Sequence, residues 1–98
     1  MKQHVEKSLD AAIVEQWYRT IPGHTYESLK RYVIDGIEPG GFLTAVLSND
    51  LIGAVAHADD QNEKQIATIA KFVYNRCPIG CSGSKEKVNK WIETGGLE

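Results

Sequence analysis

The 98-residue chain has little of what marks specialised small proteins: two cysteines, three prolines, one methionine and two tryptophans. Two cysteines cannot build a disulfide scaffold, and nine glycines with three prolines are too few for a collagen-like or low-complexity segment. Charge of one sign is also missing. Eleven basic against thirteen acidic residues leave a net charge of −2, and neither half of the chain carries a basic arm or an acidic tail. A protein that grips duplex nucleic acid through its phosphates needs a basic face, and a DNA mimic needs a strongly acidic one. No apolar run reaches the 18 residues of a membrane span. Met1 to Asp10 is polar, unlike a signal peptide, so a cytoplasmic location is expected. No Gly-x-Ser-x-Gly, His-Glu-x-x-His, phosphate-loop or Cys-x-x-Cys motif occurs, and the expectation is a non-enzymatic protein without a cofactor.

What is present is helical periodicity. Hydrophobic residues make up 42% of the chain and charged ones 24%, as in ordinary globular domains. Ile21-Pro22-Gly23, Glu38-Pro39-Gly40-Gly41, Ala58-Asp59-Asp60 and Cys77-Pro78-Ile79-Gly80 divide it into five segments. The spacing predicts one all-α domain over 1–98, a compact bundle of about five helices near 8–20, 25–36, 40–57, 61–76 and 84–93. Ser8 is expected to cap the first, whose buried face runs Leu9, Ala12, Ile13, Gln16, Trp17. Thr25 is expected to cap the second, with Tyr26, Leu29, Val33 and Ile37 inward and Gly36 closing it in the left-handed conformation. Asp60 with Glu63 reads as a capping box for the fourth, whose stripe is Ile66, Ile69, Ala70, Val73 and Cys77. Ser84 caps the last, which carries Val88, Trp91 and Ile92. The terminal Leu97-Glu98 resembles a cloning scar and is left out of these expectations.

The third segment, Pro39 to Ala58, has no wide polar stripe. A helix apolar on nearly all sides is either central or shared with a second subunit, which predicts a homo-oligomer, a dimer first. Asn49 and Asp50 interrupt it. On an uninterrupted helix both face apolar neighbours, where an unsatisfied polar group costs roughly 1–3 kcal/mol. They either hydrogen-bond to another helix, form the polar floor of a pocket, or break the helix with Asp50 or Ser48 capping a new one. Gly40-Gly41 leaves first-turn amides open to an anion, or is simply a tight entry turn. Cys81-Ser82-Gly83-Ser84, with Lys85 and Lys87 nearby, has the same two meanings.

Trp17 and Trp91 fall on apolar stripes and are expected in the core. Tyr18, Tyr32 and Tyr74 fall off them. With Arg19, Lys30, Arg31 and Arg76 close in sequence, they have the chemistry to clamp a nucleobase and phosphate, or to form a protein-binding surface. His57, two turns after Asp50, is placed to pair with it. Cys77 and Cys81 are expected as reduced thiols, one of them packed. A zinc site would need them joined by His4, His24 or His57, and no metal site is expected. A ligand site is expected beside the third helix. Gly40 and Gly41 would meet an anionic group, Arg31 or Lys30 would add charge, Tyr26 or Tyr32 would stack, and Asn49 would read a polar edge, with Asp50 beside it in the site.

His24-Thr25-Tyr26-Glu27-Ser28-Leu29-Lys30-Arg31-Tyr32-Val33, followed by Pro39-Gly40-Gly41-Phe42-Leu43-Thr44-Ala45-Val46-Leu47-Ser48-Asn49-Asp50-Leu51, Ala58-Asp59-Asp60-Gln61-Asn62, Tyr74-Asn75 and Cys81-Ser82-Gly83-Ser84, resembles a group of small proteins encoded by tailed phages and prophages. The likeness covers about residues 21–92 and departs at Ser82, where that group has a tryptophan. It implies action by binding inside a host cell. Two forms are expected: a counter-defence protein that sequesters a nucleotide-like small molecule in an oligomer, or an anti-CRISPR-like inhibitor that binds a host defence protein. An accessory or structural phage domain is the plain alternative.

Overall fold

A computed structural model describes residues 2–97. Seven helices follow one another, and there is no strand among the described residues: α1 (Lys2–Ile13), α2 (Gly23–Asp35), α3 (Gly41–Leu47), α4 (Leu51–His57), α5 (Asp60–Glu63), α6 (Ile66–Arg76) and α7 (Lys85–Glu93). The class is all-α as expected, but the third and fourth expected helices are each split in two.

The core is contiguous. Leu29, Tyr32 and Val33 of α2, Leu47 of α3, Ile69 and Phe72 of α6 and Val88 of α7 are buried together, with Leu9 and Ala12 of α1 on one side. The α2 stripe is wider than the periodicity suggested. Tyr32 is fully buried, and its hydroxyl donates to the Cys81 carbonyl at 2.6 Å. That bond is what lets a tyrosine sit in the core. Gly36 closes α2 in the left-handed conformation (φ 68°), so Ile37 leaves the helix and is half exposed. Thr25 does not cap α2, which starts two residues earlier. It is buried, and its hydroxyl donates to Asn62 Oδ1 instead.

Two helix stops that no glycine or proline announces rearrange the surface. α1 begins at Lys2 and ends at Ile13, so Ser8 is internal and the helical phase does not reach Trp17. Residues 14–20 are turns, tied by Tyr18 N–H and Arg19 N–H to the Glu15 carbonyl. In that path Tyr18 enters the core and Trp17 leaves it, 68% exposed. The core position expected for Trp17 is therefore corrected, as is the outward one for Tyr18.

The second stop is at Ser48-Asn49-Asp50. Asn49 is left-handed (φ 64°). Its N–H bonds Val46 O at 3.2 Å, and Asp50 N–H reaches back to Ala45 O at 2.9 Å, the pattern that closes a helix end. Asp50 Oδ1 then accepts from Gly53 N–H at 2.9 Å and caps α4. The helix break, one of the three roles expected for this pair, is present, with Asp50 as the cap. His57 accordingly bonds Gly53 O through Nδ1 (2.8 Å) rather than Asp50. α3 buries Phe42, Leu43, Ala45 and Leu47, whereas α4 buries only Ala54 and exposes Leu51, Ile52 and Val55.

Asp59, not Asp60, caps α5, accepting from Asn62 N–H at 2.7 Å. On α6, Phe72 is buried and Ala70 exposed. Ser84 caps α7 as expected, accepting from Lys87 N–H. Leu97 does not behave as a loose tail: its N–H bonds Ile34 O at 3.2 Å and its side chain packs on the core.

Candidate functional site

The residues expected to form one site fall into three places. Tyr26 and Lys30 of α2 meet α1. The Tyr26 hydroxyl donates to the Asp10 carboxylate, and its ring stands edge-on to Phe72 with centroids 6.0 Å apart. Lys30 Nζ lies 3.2 Å from Asp10, 3.8 Å from Glu27 and 3.9 Å from Glu6. Hydrogen bonding from Tyr26, then from Lys30, holds the Asp10 carboxyl below its ordinary pKa of 3.8. Burial, then Asp10, pushes the Tyr26 phenol up. Both side chains thus join α1 to α2. Arg31 is exposed beside them, and its carbonyl accepts the closing bond from Ile37 N–H.

Gly40 and Gly41 line a cleft of about 280 Å³ with His24, Ser28, His57 and Asp59. A Cβ on Gly41 would stand 3.1 Å from the His57 ring, so glycine permits α4 to close on α3. Gly41 shares a second cleft, about 390 Å³, with Glu38, Asp50, His57 and Lys85. Three carboxylates against one lysine make these clefts poor receptors for an anion, and α3, at seven residues, adds only a short helix dipole. Asn49 and Asp50 together border a smaller hollow of about 100 Å³ between α3, α4 and α6. The structure therefore brings Gly41 and Asp50 to one cleft and Asn49 and Asp50 to a neighbouring hollow, and keeps Tyr26 and Lys30 away from both.

A cavity of about 440 Å³ between the 14–20 turns and α6 has the chemistry that those clefts lack. It is lined by Trp17, Tyr18, Thr68, Lys71, Asn75 and Arg76. Tyr18 is the floor, packed edge-on to Phe72 at 5.1 Å, and its hydroxyl accepts from Asn75 Nδ2 at 3.2 Å. This bond orients the amide and leaves Asn75 Oδ1 as an acceptor. Arg76 Nη2 bonds both oxygens of Glu15 (3.0 and 3.2 Å), which fixes the guanidinium near the Tyr18 ring. Lys71 has no carboxylate within ion-pair distance among the described residues. Leaving this much indole in water forgoes about 4 kcal/mol of burial. Thr68, Lys71 and Asn75 recur at i, i+3 and i+7 of α6, a spacing shared by any solvated face, so the sequence carried no signal for them. Trp17 was masked by its apparent place on an apolar stripe.

Cys77 and Cys81 are free thiols, Cys81 fully buried. Their mutual hydrogen bond raises the pKa of Cys77 and lowers that of Cys81. No cluster of three or more metal-ligating side chains occurs among the described residues, and no helix there is long and apolar enough to cross a membrane. Comparison with protein-family models, curated proteins and solved structures returned no match for this chain.

Proposed function

We propose that this chain is a non-enzymatic binding protein that sequesters a nucleotide-like small molecule, seated in the Trp17 cavity. The observation that carries this reading is the exposed Trp17 indole facing a cavity with Lys71 and Asn75. A base stacks on the indole, the Asn75 carbonyl oxygen accepts from its polar edge, and Lys71 with the free N–H groups of Arg76 meets the phosphate. The protein acts as an oligomer through the apolar face of α4, where Leu51, Ile52 and Val55 await a second copy. The resemblance to phage-encoded proteins supports a counter-defence role in the host cytosol.

The test is to incubate the purified protein with a nucleotide extract of host cells, desalt it, denature it and separate what is released. A released metabolite, absent from a Trp17→Ala sample handled identically, is the expected result. Equal release from both proteins removes the cavity as the seat, and no release from either removes the reading. A second reading, an inhibitor of a host protein, is favoured by Tyr74, 87% exposed on the same helix as Lys71. Exposed tyrosines are frequent anchors of protein interfaces. In that case a host protein co-purifies with the chain, and Tyr74→Ala releases it.

A further inference from the structure

A cavity of about 510 Å³ lies on the opposite end of the sequence from Trp17, between α7 and the chain's final turn. Its wall is one face of α7, where Lys87, Lys90, Trp91 and Thr94 recur at i, i+3, i+4 and i+7. Trp91 is pinned. Its indole N–H donates to both Tyr32 O (3.0 Å) and Val33 O (3.2 Å), and its ring leans on Tyr32. The ring therefore presents a fixed apolar face. Gly80 crosses it with φ 100°, and a Cβ there would stand 3.9 Å from the ring. The final turn is held by Gly96 N–H on Trp91 O and Leu97 N–H on Ile34 O, and it supplies the far apolar wall.

The polar groups are few and of one kind. Lys87 and Lys90 reach no carboxylate among the described residues. The Thr94 hydroxyl donates to Trp91 O at 3.2 Å, so the two ammonium groups remain as donors. Among the described residues, no side-chain amide or carboxylate lines the cavity to read the edge of a base. We propose that this cavity is a binding site for a small organic anion with a flat apolar body, such as an aryl carboxylate. The body lies on the Trp91 ring, and the acid group meets Lys87 and Lys90 one turn apart. The site is separate from the Trp17 cavity and stands or falls without it.

The test is a nitrogen–proton correlation spectrum of the full chain titrated with 2-naphthoate. The chain has two indoles, which act as internal reporters. The Trp91 indole signal and the Gly80 and Gly96 amides are expected to move together and saturate, while the Trp17 indole stays. 2-Naphthalenemethanol, the neutral counterpart, is expected to bind at least tenfold more weakly, and so is naphthoate to a Lys87→Gln, Lys90→Gln variant. Both lysines are exposed and the α7 cap uses only the Lys87 backbone N–H, so this variant stays folded, with at most a small drop in melting temperature from losing the Lys90 charge in the last turn of α7. Raising the ionic strength provides a second check without mutation, since it weakens charge-steered binding. No perturbation up to a few millimolar, movement of the Trp17 indole instead, or equal binding of the neutral compound would each overturn the proposal.

Discussion

Asn49 offers the sharpest test of how the third segment folds. It sits at φ 64° between two helices, with an exposed side chain. A residue with a Cβ costs roughly 1–2 kcal/mol in that conformation, and asparagine is among the least penalised. Alanine at 49 should therefore lose about 0.5–1 kcal/mol, mostly backbone strain. Glycine removes the strain but adds freedom to the unfolded chain, which takes back about 0.4–1 kcal/mol, leaving a change between nil and a small gain. For a chain of this size 1 kcal/mol moves the midpoint by about 4–8 °C. Thermal unfolding followed by far-ultraviolet circular dichroism should rank the proteins glycine, asparagine, alanine, with alanine roughly 2–8 °C below the parent. If the Asn49 side chain instead held another helix through a hydrogen bond, glycine and alanine would fall together, glycine further. That ranking would refute the left-handed closure. Both variants should also leave release of a bound metabolite intact, because Asn49 lies outside the Trp17 cavity.

Three further outcomes follow from particular contacts. Tyr32→Phe leaves the buried Cys81 carbonyl without its 2.6 Å donor, so a loss of about 1–3 kcal/mol and a visibly lower melting temperature are expected; an unchanged midpoint would show that the carbonyl has another partner. Asp10 has a depressed pKa, first through Tyr26, so its contribution is complete above its ordinary value of 3.8 and disappears as the pH falls through the lower folded value; the destabilisation caused by Asp10→Asn, measured by denaturant unfolding, should be present at about pH 6 and gone near pH 2. Ile52, 79% exposed on α4, makes Ile52→Lys a surface change in one copy but a buried charge in a dimer, so sedimentation should shift from a multiple of 10.9 kDa to the single-chain mass without a lower melting temperature; a parent protein that already sediments as one chain would end the oligomer reading.

Which features were legible in the sequence depended on whether their cause was local. Gly36 as a left-handed stop and Ser84 as a cap are each decided by one residue and its neighbours three or four positions away, and both stand where expected. Helix ends decided by packing were not legible. Nothing in Ile13-Val14-Glu15-Gln16-Trp17 stops a helix, yet the chain turns there because Tyr18 has a place against Phe72 and an amide partner in Asn75, 57 residues away. One early stop reverses the facing of two adjacent aromatics, so a periodicity that places Trp17 inside also places Tyr18 outside, and both inferences fail together. The Asn49 break has the same effect on α4: an all-apolar run implies burial only while it stays one helix, and once the axis turns, Leu51, Ile52 and Val55 face outward.

These two breaks also account for where the chain keeps apolar surface it does not bury. A domain of this size hides a smaller share of its surface than a larger one, and leaving a tryptophan and an Ile-Leu-Val face in water weakens its solubility. Cheaper sequences were open to the same fold, because Trp17 and Ile52 touch little of the core and a polar residue would serve the chain as well at either position. These are the two places where the proposed ligand and the proposed second copy would meet the chain. The two also differ in kind. Trp17 sits among Lys71, Arg76 and Asn75, groups that recognise a polar, charged molecule, whereas Leu51, Ile52 and Val55 form a surface without any charged residue between Leu51 and Ala56, suited to another apolar face. On the proposed function, capture of a ligand at the first and contact between copies at the second are separable, and a Trp17→Ala protein that still self-associates would demonstrate that separation.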